Sequence, residues 1–127
     1  MEAKKDSVDC VGFPSPAANY MEGTLDLNEY LVKHPSATFF VRVTGEAMIE
    51  AGIHSGDILI VDRSLEPADN KVVIAVVNGQ LMVRRVRIIQ GRRCLAPEND
   101  NYQPLELGDK GTDVEIWGVV TNVIHPL

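Results

Sequence analysis

The feature that most constrains this chain is a pair of β-branched, apolar runs joined by Asn78-Gly79. Lys71–Val77 (KVVIAVV) precedes the dipeptide and Leu81–Ile89 (LMVRRVRII) follows it. Asn-Gly suits the two positive-φ residues of a type I′ turn, whose twist matches that of the strands it joins. Val and Ile on both sides fit a pleated, half-buried surface. A hairpin is therefore expected here, and a hairpin demands further strands, because two alone are marginal in water. On the return run Leu81, Val83, Arg85 and Arg87 alternate with Met82, Arg84, Val86 and Ile88, the period of a strand with two different faces.

Further strands are legible. Thr38–Val43, Arg93–Ala96 and Asp113–Ile124 read as extended, and Asp57–Asp62 holds ILIV, a run suited to a strand buried on both faces. One short helix is expected: Asp26 stands at its N-cap with Glu29 three residues on, and Leu27, Tyr30 and Leu31 form one apolar face. His34-Pro35 ends it, since the residue before proline is pushed out of the α region. Gly45–Ile49 is expected to bend, with a helical turn, and Gly52 and Gly56 punctuate the loop that follows. Residues 1–24 read as an arm, with Pro14, Pro16 and small residues, which Phe13 and Tyr20 could anchor.

Seven prolines and ten glycines in 127 residues are too many for a helical bundle. At 45% hydrophobic residues the chain can fill one core, burying roughly two-thirds of its unfolded surface. No repeat, helix-turn-helix pattern or second domain is visible. The expectation is a mainly β fold: a compact antiparallel β domain over 25–127 with one short helix, preceded by an N-terminal arm over 1–24.

The net charge is −6, against the basic surface that phosphate neutralisation requires. Direct DNA binding is not expected. Arg84, Arg85, Arg87, Arg92 and Arg93 either form a local basic strip or simply face water from a strand and turn. Cys10 and Cys94 are the two cysteines; a disulfide between them stays open, and no Cys/His spacing suggests a metal site. The first ten residues hold no apolar signal segment, and no run nears the ~18 apolar residues of a membrane span. A cytoplasmic protein without cofactor or metal, and not in a membrane, is expected.

Three blocks together resemble UmuD and its relatives among the LexA-like (S24) self-cleaving serine peptidases. They are GFPSPAANY (Gly12–Tyr20) with LDLNEYLVKHPSATFFVRV (Leu25–Val43); GEAMIEAGIHSGDILIVDRS (Gly45–Ser64); and VVIAVVNGQLMVRRV (Val72–Val86), closed by WGVV (Trp117–Val120). The resemblance implies the compact antiparallel β fold of the UmuD and LexA C-terminal domain. It implies a serine nucleophile in G-[DE]-S-M and a lysine general base on the return strand of the hairpin. It implies self-cleavage in the arm, stimulated by RecA on single-stranded DNA, a homodimer, and service to a UmuC-like Y-family translesion polymerase in the SOS response.

The matched positions depart from that chemistry. The motif reads Gly45-Glu46-Ala47-Met48, so Ala47 holds the nucleophile position, and the base position in Val83-Arg84-Arg85-Val86 is Arg84. A methyl group has no lone pair for attack. A Ser–Lys mechanism needs a neutral amine, whereas a guanidinium stays protonated, with a pKa above ~12. Thr44, Ser55 and Ser64 are nearby hydroxyls, none at the matched position. The bond matching the family's cleavage site is Val11-Gly12, although Cys10 sits one place further back than the residue that precedes the glycine in many relatives.

Gly45 and Met48 are expected to support the cleft, with Ile49 packed beside Met48. His54 and His125, near Asp57 and Asp62, have loop and terminal settings that argue against catalysis. Glu46, Glu50 and Asp57 show no metal-ligand spacing, and Trp117 is expected to fill core or line a partner surface.

Three readings compete. The first is a catalytically dead, dimeric regulator of a Y-family polymerase, also able to pair with active relatives. The second is an active autopeptidase cutting at Val11-Gly12, whose dyad has been mutated in this sequence. The third, a signal-peptidase-like membrane domain, is disfavoured by the charge and by the lack of a span.

Overall fold

The computed structural model describes residues 24–108 and 111–127. Apart from Thr24, the expected arm, with Val11 and Gly12, lies outside the described residues. The chain divides into two units, Met1–Tyr30 and Leu31–Leu127. At the end of the first, α1 (Leu27–Leu31) begins behind its expected N-cap. The Asp26 carboxylate accepts from the amides of Asn28 at 3.0 Å and Glu29 at 3.4 Å, and the Asp26 carbonyl accepts from Tyr30 at 2.9 Å. Two of the orphan amides that open any helix are thus satisfied by one side chain.

The second unit is a seven-stranded antiparallel sheet. Its strands are β1 (Thr38–Arg42), β2 (Ile58–Asp62), β3 (Val72–Val77), β4 (Gln80–Ile89), β5 (Arg92–Ala96), β6 (Leu105–Glu106) and β7 (Val114–Ile124). Their order across the sheet is β1-β2-β7-β3-β4-β5-β6. A mainly antiparallel β fold with one short helix was expected, and six of these strands lie within a residue or so of their expected bounds. The two-residue β6 carries no periodic signal and was not foreseen. The helical turn expected within Gly45–Ile49 lies slightly later, as a 3-10 turn over Ile49–Ala51.

The Asn78-Gly79 turn forms as expected, with φ of 49° and 84° and Val77 paired with Gln80. A second such turn, Gln90-Gly91 at φ of 52° and 76°, joins β4 to β5. The late strand β7 is central because it pairs with both β2 and β3. Its register shifts twice: Ile74 faces Gly118 while Ala75 faces Ile116, and Ile60 faces Asn122 while Val61 faces Val120. Trp117 and Thr121 are the extra residues, and such bulges bend a strand and increase its twist.

Side-chain alternation builds two apolar clusters. Ile74 joins Val43, Met48, Ile53, Leu59 and Val61 in one. Its neighbours Val73, Ala75 and Val77 join Val86, Leu95 and Val119 in the other. The ILIV run is buried as its composition suggested, from Leu59 through Asp62, because β2 lies inside the sheet. No helix among the described residues is long and apolar enough to cross a membrane.

Candidate functional site

The bend that follows β1 carries Gly45, Ala47 and Met48. Gly45 has φ of 88°, a left-handed conformation that strains any residue with a Cβ. The bend is held from below. The Val43 amide donates to the Asp57 carbonyl at 2.8 Å, and the Val43 carbonyl accepts from the Gly56 amide at 2.8 Å. Met48, 1% exposed, plugs the first apolar cluster, while its carbonyl accepts from the amides of Ala51 and Ile53. Ile49 beside it is only partly buried.

The bend is also laced to the loop 97–102. The Glu98 amide donates to the Ala47 carbonyl at 2.8 Å and the Glu50 amide to the Glu98 carbonyl at 2.9 Å. The Asn99 side-chain amide donates to the Glu46 carbonyl at 2.8 Å.

Arg84 reaches the same loop from β4. Its guanidinium donates to the Val83 carbonyl at 2.7 Å and lies 5.6 Å from the centre of the Tyr102 ring. The Tyr102 hydroxyl, in turn, is 3.9 Å from where a Cβ on Gly45 would stand. Burial holds the Arg84 pKa below the ordinary arginine value, with Tyr102 acting in the opposite sense. A guanidinium does not give up its proton in proteins, so Arg84 remains a cation. The next residue, Arg85, pairs with the Glu98 carboxylate at 2.6 Å, both groups being half-buried. Gly45, Ala47 and Arg84 thus all border one loop. Glu98, Asn99 and Tyr102, which organise it, were missed in the sequence because no local pattern marks a loop whose role is to accept and donate across the fold.

A cleft of about 260 Å³ lies beside the residues that lead into the bend and those that precede Arg84 on β4. Its walls are Val41–Thr44 on one side and Leu81–Val83 on the other, and Leu59 and Ile74 line it further. It is bordered by strand edges. β1 ends the sheet, and β5 meets β4 only over Arg85–Ile89, leaving Gln80–Arg84 with a partner on one side alone among the described residues. An extended peptide can add to such an edge and fill alternate pockets with its side chains.

The profile of the Peptidase S24-like family matches residues 8–121. The chain belongs to the S24-like peptidases. It is similar to the protein MucA of Salmonella typhimurium, at 43% identity over 118 residues covering 91% of this chain and 80% of that one. Against the protein SamA of Salmonella typhimurium strain LT2 the identity is 45% over 114 residues, covering 90% and 78%. Against the LexA repressor of Geotalea uraniireducens it is 38% over 117 residues, covering 91% of this chain and 57% of the repressor. The resemblance to UmuD and the LexA-like members of this S24 family, drawn from three sequence blocks, is correct.

The remaining candidates fall elsewhere in the S24-like fold. The arginines of the possible basic strip have partners: Arg85 has Glu98, Arg87 approaches Asp69 at 3.9 Å, Arg92 meets Glu106 at 3.1 Å, and Arg93 donates to the Pro67 carbonyl. Trp117 is half-buried, packs on the first cluster, lies 5.2 Å from the Phe39 ring and sits under the Arg63 guanidinium. Among the hydroxyls, Thr44 lines the cleft, Ser55 is exposed, and Ser64 donates to Asp62.

Asp62 is buried, and burial alone would raise its pKa. The hydrogen bonds from Ser64 and His34, and the His34 charge, bring it below the ordinary value instead. Asp57 behaves likewise: burial opposes ionisation, but the His54 amide, the His125 hydrogen bond and both imidazole charges hold the pKa down.

Proposed function

We propose that this chain is a UmuD-like protein of SOS mutagenesis that keeps the peptide-binding cleft of a Ser–Lys autopeptidase without its chemistry. The observation that carries this reading is that Ala47 and Arg84 fill the motif positions of nucleophile and base while a cleft lined by the adjoining Val41–Thr44 and Leu81–Val83 remains. Ala47 is buried, 8% exposed, and its methyl supplies neither nucleophile nor proton donor. The Arg84 guanidinium supplies no base. Nothing else in the bend replaces them: Thr44 precedes it, and the Ser64 hydroxyl is committed to Asp62.

What the cleft retains is the ability to hold an extended segment. The segment in this reading is the arm around Val11-Gly12, held in cis or by a second copy. The protein then acts as a cytoplasmic homodimer, alone or mixed with active relatives, that engages the RecA filament and regulates a UmuC-like Y-family polymerase. The names of the curated relatives and the S24-like membership support the setting. The emptied dyad supports the regulatory role.

The second reading, an autopeptidase silenced by substitution of its dyad, is favoured by the Gly45 bend and its hydrogen-bonded support, which stand ready to present a hydroxyl at position 47.

Intact mass measurement after incubation with RecA on single-stranded DNA, and separately at pH ~10, where an unperturbed lysine is about half deprotonated, tests the first reading. The mass is expected to stay unchanged. Loss of residues 1–11 would refute the silent-site assignment. A pull-down with a Y-family polymerase that an active relative binds tests the accessory role, and failure to bind would refute it.

A further inference from the structure

We infer that His54, Asp57 and His125 form a binding site for one divalent cation of the zinc class, where β2 begins and β7 ends. The three side chains each offer a donor atom, and these atoms all lie within 4.8 Å of one another. In sequence His125 is 68 residues from Asp57, so only closure of the sheet brings the set together.

The Asp57 carboxylate is buried, 1% exposed, and turns one oxygen to each imidazole. Its Oδ1 meets His125 Nδ1 at 2.6 Å. Its Oδ2 accepts from the His54 amide at 2.8 Å, while His54 Nδ1 stands 3.7 Å away, beyond hydrogen-bond range. His54 Nδ1 is the buried side-chain polar atom that has no hydrogen-bond partner. Buried polar nitrogens are nearly always satisfied, and an exception calls for a cause such as an ion. The two rings stack with centroids 4.4 Å apart and planes 30° from parallel, so both present nitrogen to one anionic oxygen pair.

Two imidazole nitrogens and one carboxylate oxygen form a borderline donor set. It suits Zn²⁺, Co²⁺, Ni²⁺ or Cu²⁺ rather than Ca²⁺ or Mg²⁺, which require mostly oxygen. Tetrahedral binding at 2.0–2.1 Å separates donor atoms by roughly 3.3 Å. The 2.6 Å contact must lengthen and the 3.7 Å contact shorten, each by less than about 1 Å, and the two imidazole nitrogens, within 4.8 Å of each other, must come to the same spacing. The rings can turn to do so, being 41% and 38% exposed. Each imidazole binds as the neutral ring, with its proton on the outward Nε2, and water completes the coordination. The ion would join the end of β7 to the loop whose Gly56 and Asp57 backbone holds Val43 beneath the Gly45–Ala47 bend.

Titration of the full chain with Co²⁺, followed by displacement with Zn²⁺, tests this. One equivalent is expected, with visible d–d absorption, without a near-ultraviolet sulfur charge-transfer band, and bleached by Zn²⁺. His54→Ala and His125→Ala should each weaken binding at least tenfold. His54→Ala removes no side-chain hydrogen bond seen in this structure, so its fold, checked by circular dichroism, stays intact even if His125→Ala loosens β7. Absence of saturable binding, a sulfur band, or unchanged affinity in the folded His54→Ala protein overturns the inference.

Discussion

Gly118→Ala tests the register of the central strand. A Cβ at Gly118 would stand 2.6 Å from Val61 Cγ1, 3.3 Å from Arg63 Cγ and 3.6 Å from the Asp62 carbonyl. The first distance is well inside van der Waals contact. Arg63 can swing aside, because its side chain is exposed. Val61 cannot, because it is 0% exposed and packed in the first cluster, and a β-branched side chain has few rotamers to offer. Inserting one methyl into a filled core costs about 1–3 kcal/mol, or roughly 3–12 °C in Tm for a domain of this size. Thermal and urea unfolding of wild type, G118A, V61A and the double variant form a cycle. V61A alone destabilises by deleting buried methyls. In its background G118A should cost at least about 1 kcal/mol less than in wild type, because the clashing atom is gone and contacting pairs couple by that much. Strict additivity, or no loss of stability in G118A, would refute the placement of β7 against β2.

Ala47→Ser combined with Arg84→Lys should restore cutting between Val11 and Gly12, with a rate rising about tenfold per pH unit below the lysine pKa, whereas either change alone leaves the mass intact. Met48→Ala should cost about 2–5 kcal/mol in denaturant unfolding, the range for emptying a buried site, because Met48 fills the core beneath the bend. Asp62 has a folded pKa below its unfolded value, about 3.9, through Ser64 and His34 acting against burial. Its contribution is therefore present above about pH 4 and lost as pH falls through the folded value. Asp62→Asn should flatten the acid limb of a Tm–pH profile below about pH 4 relative to wild type, and identical acid limbs would contradict the assignment.

Most of the sheet was legible because its strands are written in β-branched runs and its first hairpin turn in Asn-Gly. The second turn was not, because Gln90 is an ordinary residue that occupies a positive φ only through the pairing of β4 with β5. The bulges at Trp117 and Thr121 leave no mark in the sequence, since each is a mismatch between partners. At the proposed site, Gly45, Ala47, Met48 and Arg84 are assigned only through the motif they belong to. Tyr102 and Glu98 were not, since their roles depend on residues far away in the chain. The paired arginines show the same limit: an arginine run is visible, but Glu98, Asp69 and Glu106 as its partners are not.

If Ala47 and Arg84 hold the nucleophile and base positions, as proposed, the two together fit their surroundings better than either alone would. Serine at position 47 would bring a hydroxyl to a site only 8% exposed, where it needs a partner or costs stability; alanine asks for none. A lysine at 84 would bring an ammonium whose charged form burial disfavours, which is useful only if its neutral form has a hydroxyl to deprotonate. Arginine instead keeps its charge and spends it on the Val83 carbonyl and the Tyr102 face. The Tyr102 contact ties β4 to the loop that also holds Ala47 and Glu46. In this reading Arg84 has changed from a group that must lose a proton into one that braces the cleft, and Arg84→Ala should loosen the 97–102 loop, seen as faster amide exchange at Glu98 and Tyr102. Unchanged exchange at both amides would mean that Arg84 merely occupies the position the base has left.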